Sequence, residues 1–184
     1  MRVIAGEAKG RRLKTPTTGT RPMADRMRES VFSALGELEG CVVLDLYAGS
    51  GSLGLEALSR GASKATFVES SREAIVKLEQ NIEATGFEDR CEVVWGDVSL
   101  VIGKHAEDRV DLIFVDPPYS TSAAVVRSDL EAIVMGGFLS DDGRVVVHRP
   151  GKESRLNALG LQPIWEREFG QSRIIVLCHE EEED

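Results

Sequence analysis

Asp116-Pro117-Pro118-Tyr119 follows directly on the apolar run Val110-Asp111-Leu112-Ile113-Phe114-Val115. An acid, two prolines and an aromatic ring at the end of a buried strand make a rigid polar pocket. The prolines fix φ and remove two N–H donors, so acceptors line the pocket unopposed. Asp116 and the Pro117 carbonyl can then take hydrogen bonds from an NH₂ group. Tyr119 can stack on a flat base, a contact worth about 1–3 kcal/mol. An aromatic amine is a poor nucleophile because its lone pair is delocalised into the ring. Hydrogen bonds from its N–H groups localise that pair, so the chemistry is mostly positioning and electrostatics. Standing alone, the same residues also read as a turn with a surface tyrosine.

Upstream, Asp45-Leu46-Tyr47-Ala48-Gly49-Ser50-Gly51 leaves another apolar strand through a glycine-rich turn. Gly49-Ser50-Gly51-Ser52-Leu53-Gly54 matches G-x-G-x-x-G between a strand and a helix, where glycines let a ligand approach the backbone. Asp45 can hold this loop and face a cationic amino-acid group. Glu69, with Ser70 behind it, ends the next strand and is placed for a ribose diol. Gly96-Asp97-Val98 follows the third strand, where an adenine amino group would lie. The candidate cofactor contacts are therefore Asp45, Tyr47, Ala48, Gly49, Ser50, Gly51, Glu69, Ser70, Gly96, Asp97 and Val98. The glycine loop alone suits a nicotinamide dinucleotide as well as S-adenosylmethionine. Acids at successive strand ends form a joint signal, because open α/β sheets bind ligands beyond the carboxyl ends of their strands. A dehydrogenase would leave Asp116–Tyr119 without a role. Methyl transfer to an exocyclic amine uses both motifs.

These loops need a scaffold. Strands are expected at Cys41–Tyr47, Ala65–Glu69, Cys91–Trp95, Val110–Val115 and Arg144–His148. Helices are expected at Leu53–Arg60, Arg72–Ala84, Val98–His105 and Ser122–Val134, with another opening at Pro22 and Asp25. The alternation predicts a parallel sheet covered on both faces. Gln162–Phe169 and Ser172–His179, joined at Gly170-Gln171, read as an antiparallel hairpin. Residues 2–14 read as two short strands.

The chain has 184 residues, enough for one core, and a net charge of −9. Residues 1–30 carry eight Lys/Arg against three acids, a net +5, which leaves −14 for the rest. That asymmetry predicts a local face for a polyanion on an acidic body, carried by Arg11, Arg12, Lys14, Arg21, Arg26 and Arg28. Nothing resembles a signal peptide or a membrane span, so a cytoplasmic protein is expected. Cys41, Cys91 and Cys178 read as buried reduced thiols. His105, His148 and His179 lie on different elements, so no metal site is expected. Trp95 and Trp165 read as core residues. Arg149 could reach RNA or cap the sheet, and Phe169-Gly170-Gln171-Ser172 could line the base pocket.

The two motifs resemble class I S-adenosylmethionine-dependent methyltransferases of the amino-methylating type. Arg2-Val3-Ile4-Ala5-Gly6, Gly10-Arg11-Arg12-Leu13, Thr20-Arg21-Pro22, Asp25-Arg26-Met27-Arg28-Glu29-Ser30 and Leu53–Ala62 narrow the resemblance to the RsmD family, bacterial 16S rRNA guanine-N2 methyltransferases. The resemblance implies a Rossmann-like α/β fold, with a seven-stranded mostly parallel sheet and an antiparallel C-terminal hairpin. It implies a basic extension over residues 1–38 and a methyltransferase domain over 39–179, while residues 180–184, outside the resemblance, read from their run of acids as a disordered tail. It implies S-adenosylmethionine as cofactor, also contacted by Thr20 and Arg21, and Asp116, Pro117, Pro118 and Tyr119 as the catalytic tetrapeptide. The expected partner is 16S rRNA within the small ribosomal subunit or an assembly intermediate, met by a monomer. Competing readings are an N6-adenine or N4-cytosine DNA methyltransferase, a protein glutamine methyltransferase, a nicotinamide-dependent oxidoreductase and a non-catalytic RNA-binding assembly factor.

Overall fold

A computed structural model describes residues 1–16, 23–153 and 156–180. Thr20, Arg21 and most of the acidic tail lie outside the described residues. The elements in chain order are α1 (Asp25–Leu35), β1 (Val42–Leu46), α2 (Ser52–Ser59), β2 (Lys64–Glu69), α3 (Arg72–Thr85), β3 (Cys91–Trp95), α4 (Val98–Ile102), β4 (Val110–Val115), α5 (Ala123–Met135), β5 (Leu139–Pro150), β6 (Leu161–Phe169) and β7 (Ser172–His179).

Alternation along the central strands builds two apolar layers. On β4, Phe114 packs in the layer containing Phe32, Leu55 and Phe67, whereas Ile113 and Val115 join Leu130 and Ile133 in the other. The strand order is β3-β2-β1-β4-β5-β7-β6. Strands β1 to β5 are parallel, and β7 is antiparallel to both β5 and β6. The seven-stranded, mostly parallel sheet with its closing hairpin is the one expected. The order reverses between β1 and β4, which opens a crevice beyond their carboxyl ends.

The arm before α1 lies against α2. Glu56, fully buried, accepts hydrogen bonds from the N–H groups of Ile4 (2.7 Å) and Ala5 (3.1 Å), and the Ser59 hydroxyl accepts one from Ala8 (2.9 Å). The two strands expected there reduce to one bridge between Arg2 and Arg12. Helix α4 ends at Ile102, short of His105, with Gly103 at its end. Strand β5 starts at Leu139, earlier than expected, and spans 12 residues.

Two expectations about side chains fail. Trp95 is 66% exposed: it ends the edge strand β3, its indole N–H donates to the Ser70 carbonyl at 3.0 Å, and Arg72 lies over its ring. The three free cysteines are half-buried rather than buried. Trp165, by contrast, is half-buried and packs on the core layer, as expected.

Candidate active site

The crevice between β1 and β4 holds a cleft of about 620 Å³, lined by Tyr47–Ser50 and Ser52 on one side and Asp116–Tyr119 on the other. Glu69, Ser70, Ser71 and Ala74 form its end, and Pro16 and His148 also reach it. The glycine turn and the tetrapeptide, separated in sequence, thus share one cavity.

Each wall has its own fastening. Alternation on β1 turns Asp45 toward α2, where its Oδ2 accepts the Gly54 N–H at 2.9 Å. Gly54 has no room for a side chain, since a Cβ would lie 2.4 Å from the Phe67 ring. Burial drives the Asp45 carboxyl well above the usual carboxylate range, despite the Gly54 hydrogen bond. Asp45 therefore supports the loop from beneath and does not line the cleft.

Tyr47 has φ 59°, a left-handed backbone unusual for a non-glycine residue. Its hydroxyl donates to Asp129 Oδ2 at 2.5 Å, and Asp129 Oδ1 accepts the Ser99 hydroxyl at 3.0 Å. Asp129 is buried on α5, so the pair ties the glycine loop to α4 and α5. Burial, then the Asp129 bond, pushes the Tyr47 phenol far up. Glu69 Oε2 accepts the Gly49 N–H at 2.8 Å and Oε1 the Ser71 N–H at 2.7 Å. Each carboxylate oxygen keeps a second lone pair for a ligand hydroxyl.

The third strand-end loop behaves differently. Asp97 is exposed and caps α4, accepting the Ser99 N–H at 2.9 Å, while Val98 turns into the core. Gly96 donates to the Glu69 carbonyl at 3.0 Å. This loop adjoins Glu69, yet none of the three residues lines the cleft.

At the other wall, Asp116 Oδ1 lies 2.7 Å from Nδ1 of His148, and Nε2 of His148 lies 3.1 Å from the Tyr119 hydroxyl. The Tyr119 hydroxyl also meets Ser172 Oγ at 2.5 Å. Arg149 neither reaches solvent nor a polyanion: it is buried, pairs with Glu153 at 2.6 Å and donates to the Thr121 carbonyl at 2.7 Å. It braces the turn after the tetrapeptide, in which Thr121 N–H bonds the Pro118 carbonyl.

Among the basic candidates, Arg11, Arg12, Lys14 and Arg26 are exposed. Arg28 is a correction. It is fully buried, pairs with Asp25 at 2.7 Å and donates to the Arg2 carbonyl at 2.7 Å, so it cannot meet phosphate. Phe169 packs beside α1 with Trp165 and Arg167, away from the cleft, and only Ser172 of its tetrapeptide reaches the site. His148, Asp129 and Asn81 escaped sequence reasoning as site residues, whereas Ser172 belongs to the turn expected near the base pocket. The position of His148, next in register after the Val115–Val147 pair and so beside Asp116, was the one signal available for it.

The geometry has counterparts in known proteins. The protein YlbH of Bacillus subtilis is 37% identical over 150 residues, covering 79% of this chain and 80% of that one. Ribosomal RNA small subunit methyltransferase D of Escherichia coli K12 is 34% identical over 149 residues, covering 80% and 73%. The solved structure of the Escherichia coli protein yhhF superposes with a TM-score of 0.88 at 28% identity, covering 98% of each chain. A family model described as conserved hypothetical protein 95 matches residues 1–178, and with these relatives it establishes that the chain belongs to that family.

Proposed function

We propose that this protein transfers a methyl group from S-adenosylmethionine to the exocyclic N2 amine of a guanine in 16S rRNA of the small ribosomal subunit. The observation that carries the reading is the placement of Asp116 and Pro117 in the same cleft as Gly49 and Glu69. The family relatives named small-subunit rRNA methyltransferases support RNA as the acceptor.

The residues fit the cofactor. The cleft falls within the roughly 300–1,000 Å³ of small-molecule sites. A Cβ at Gly49 would meet no atom within 4 Å, which leaves the backbone open to a ligand. Glu69 offers lone pairs for a ribose diol. When bound, S-adenosylmethionine supplies an electrophilic methyl on its sulfonium sulfur. Asp116 Oδ2 and the Pro117 carbonyl would accept the two N–H bonds of the amine and hold its lone pair toward that methyl. The departing amine proton passes to the Asp116 carboxylate or to water. Tyr119, 47% exposed with its hydroxyl tethered, would offer its ring to the base. A stacked guanine must leave its neighbours to enter, which favours an unpaired nucleotide.

The test is tritiated methyl transfer onto free 16S rRNA, small subunits lacking the modification, and DNA, followed by nucleoside analysis. Label in N2-methylguanosine from the subunits is expected. Asp116→Ala should lower turnover by about a hundredfold or more while cofactor affinity stays within a few-fold. Label in N6-methyladenine, or an active Asp116→Ala variant, would overturn the assignment.

A further inference from the structure

His148 belongs to no element of the chemistry described so far, yet it touches both ends of the tetrapeptide. It is 4% exposed, at the carboxyl end of β5. Its Nδ1 sits 2.7 Å from Asp116 Oδ1 and its Nε2 3.1 Å from the Tyr119 hydroxyl. The Tyr119 ring stands edge-on to the imidazole, centroids 5.5 Å apart. Among the described residues no cluster of side chains could hold a metal ion, so ligation does not explain the arrangement.

We propose that His148 is a positioning residue for methyl transfer, fixing the amine-accepting carboxylate and the base-stacking ring in one frame. The proposal rests on the reading that Asp116 receives the amine. Both ring nitrogens are occupied, so His148 acts through its neighbours rather than on substrate. With Asp116 as carboxylate, Nδ1–H donates to Oδ1 and leaves Oδ2 for the amine. Nε2 then accepts the Tyr119 O–H, and the Tyr119 oxygen accepts from Ser172. One tautomer thus satisfies the whole chain and stops rotation of both the carboxylate and the ring. Locking supporting contacts of this kind holds a reacting group in its productive geometry.

Two replacements separate the two contacts. The Asn amide nitrogen falls near the Nδ1 position and can still donate, and the Gln amide can turn its oxygen to the Nε2 position and still accept. His148→Asn keeps the Asp116 contact: kcat should stay within about threefold while KM for small subunits rises about tenfold. His148→Gln keeps the Tyr119 contact: KM should hold while kcat falls about ten- to a hundredfold. Tyr119→Phe should cost less on the His148→Asn background than on the wild type, because one of the hydroxyl's two contacts is already lost. Thermal midpoint and S-adenosylmethionine affinity are measured in parallel. Equal effects of Asn and Gln on both constants, or losses that track the midpoint, would overturn the proposal. If the wild-type protein labels a different amine, the guanine reading fails while the kcat and KM split is read on that amine. If it labels none, the imidazole ¹⁵N resonances decide: they should move in both Asp116→Asn and Tyr119→Phe, and a His148 signal indifferent to both refutes the frame.

Discussion

Asn81 and Lys14 exchange two hydrogen bonds: Asn81 Oδ1 accepts the Lys14 N–H at 2.7 Å, and Asn81 Nδ2 donates to the Lys14 carbonyl at 2.8 Å. The same Nδ2 donates to the Ser50 carbonyl at 2.9 Å. One buried amide on α3 therefore joins the basic arm to the glycine loop and delivers Pro16 to the cleft. Asn81→Ala should destabilise the fold by about 1–3 kcal/mol by orphaning buried backbone groups. It should also weaken S-adenosylmethionine binding, read by calorimetry. Unchanged cofactor affinity would show that the arm and loop are independent.

The arm's arginines divide by burial. Replacing Arg11, Arg12 and Lys14 together by Ala should leave the thermal midpoint in place, weaken RNA binding and lower the salt slope of binding by about two to three. Arg28→Ala should do the reverse. It removes the 2.7 Å partner of Asp25, which keeps Arg2 at 3.5 Å, and empties a buried site, so stability falls with little change in salt slope. Filter binding across a salt series with calorimetric melting distinguishes the two. Removing residues 1–14 outright would test neither idea, because Glu56 would lose the Ile4 and Ala5 N–H groups.

Tyr47→Phe removes the hydroxyl from Asp129 and leaves a buried carboxylate oxygen with one fewer donor. A loss of about 1–3 kcal/mol in urea unfolding is expected, with weaker cofactor binding as the left-handed loop residue loosens. A variant as stable as the parent would mean that Ser99 alone satisfies Asp129.

Asp45 gives a pH signature. Its folded carboxyl holds a proton well above the pH at which the unfolded chain releases one. Its contribution to stability is thus complete at low pH and is lost as pH rises through the folded value. Asp45→Asn keeps an acceptor for the Gly54 N–H and removes that titration. Unfolding measured from about pH 4 to pH 9 should then lose the part of the decline due to Asp45. An identical profile in the variant would assign the decline to another group.

Much of this architecture is legible in the residues themselves. The Cys91–Trp95, Val110–Val115 and Ser172–His179 strands match their expected bounds because apolar runs flanked by turn residues leave little freedom. The glycine turn and the tetrapeptide meet because both follow sheet strands on the same edge. What escapes is which partner a polar residue finds. Arg28 and Arg12 are the same residue type in one basic segment, yet Asp25 and the Arg2 carbonyl bury one and nothing covers the other. His148 and Arg149 are neighbours on one strand, and alternation sends one to Asp116 and the other to Glu153. Trp95 has a core residue's composition but ends the edge strand β3 and stays 66% exposed, with the Arg72 side chain over its ring.

Strand β7 lies between β5 and β6, and among the described residues β6 has no other strand neighbour. A chain made from its amino end can therefore assemble β1 to β5, with the glycine-loop side of the cleft, before either hairpin strand docks. Strand β6 must wait for β7, and Ser172 reaches Tyr119 only once β7 is paired with β5. The order of synthesis thus separates the glycine-loop wall, which can form early, from the Tyr119 wall, whose Ser172 tether arrives last.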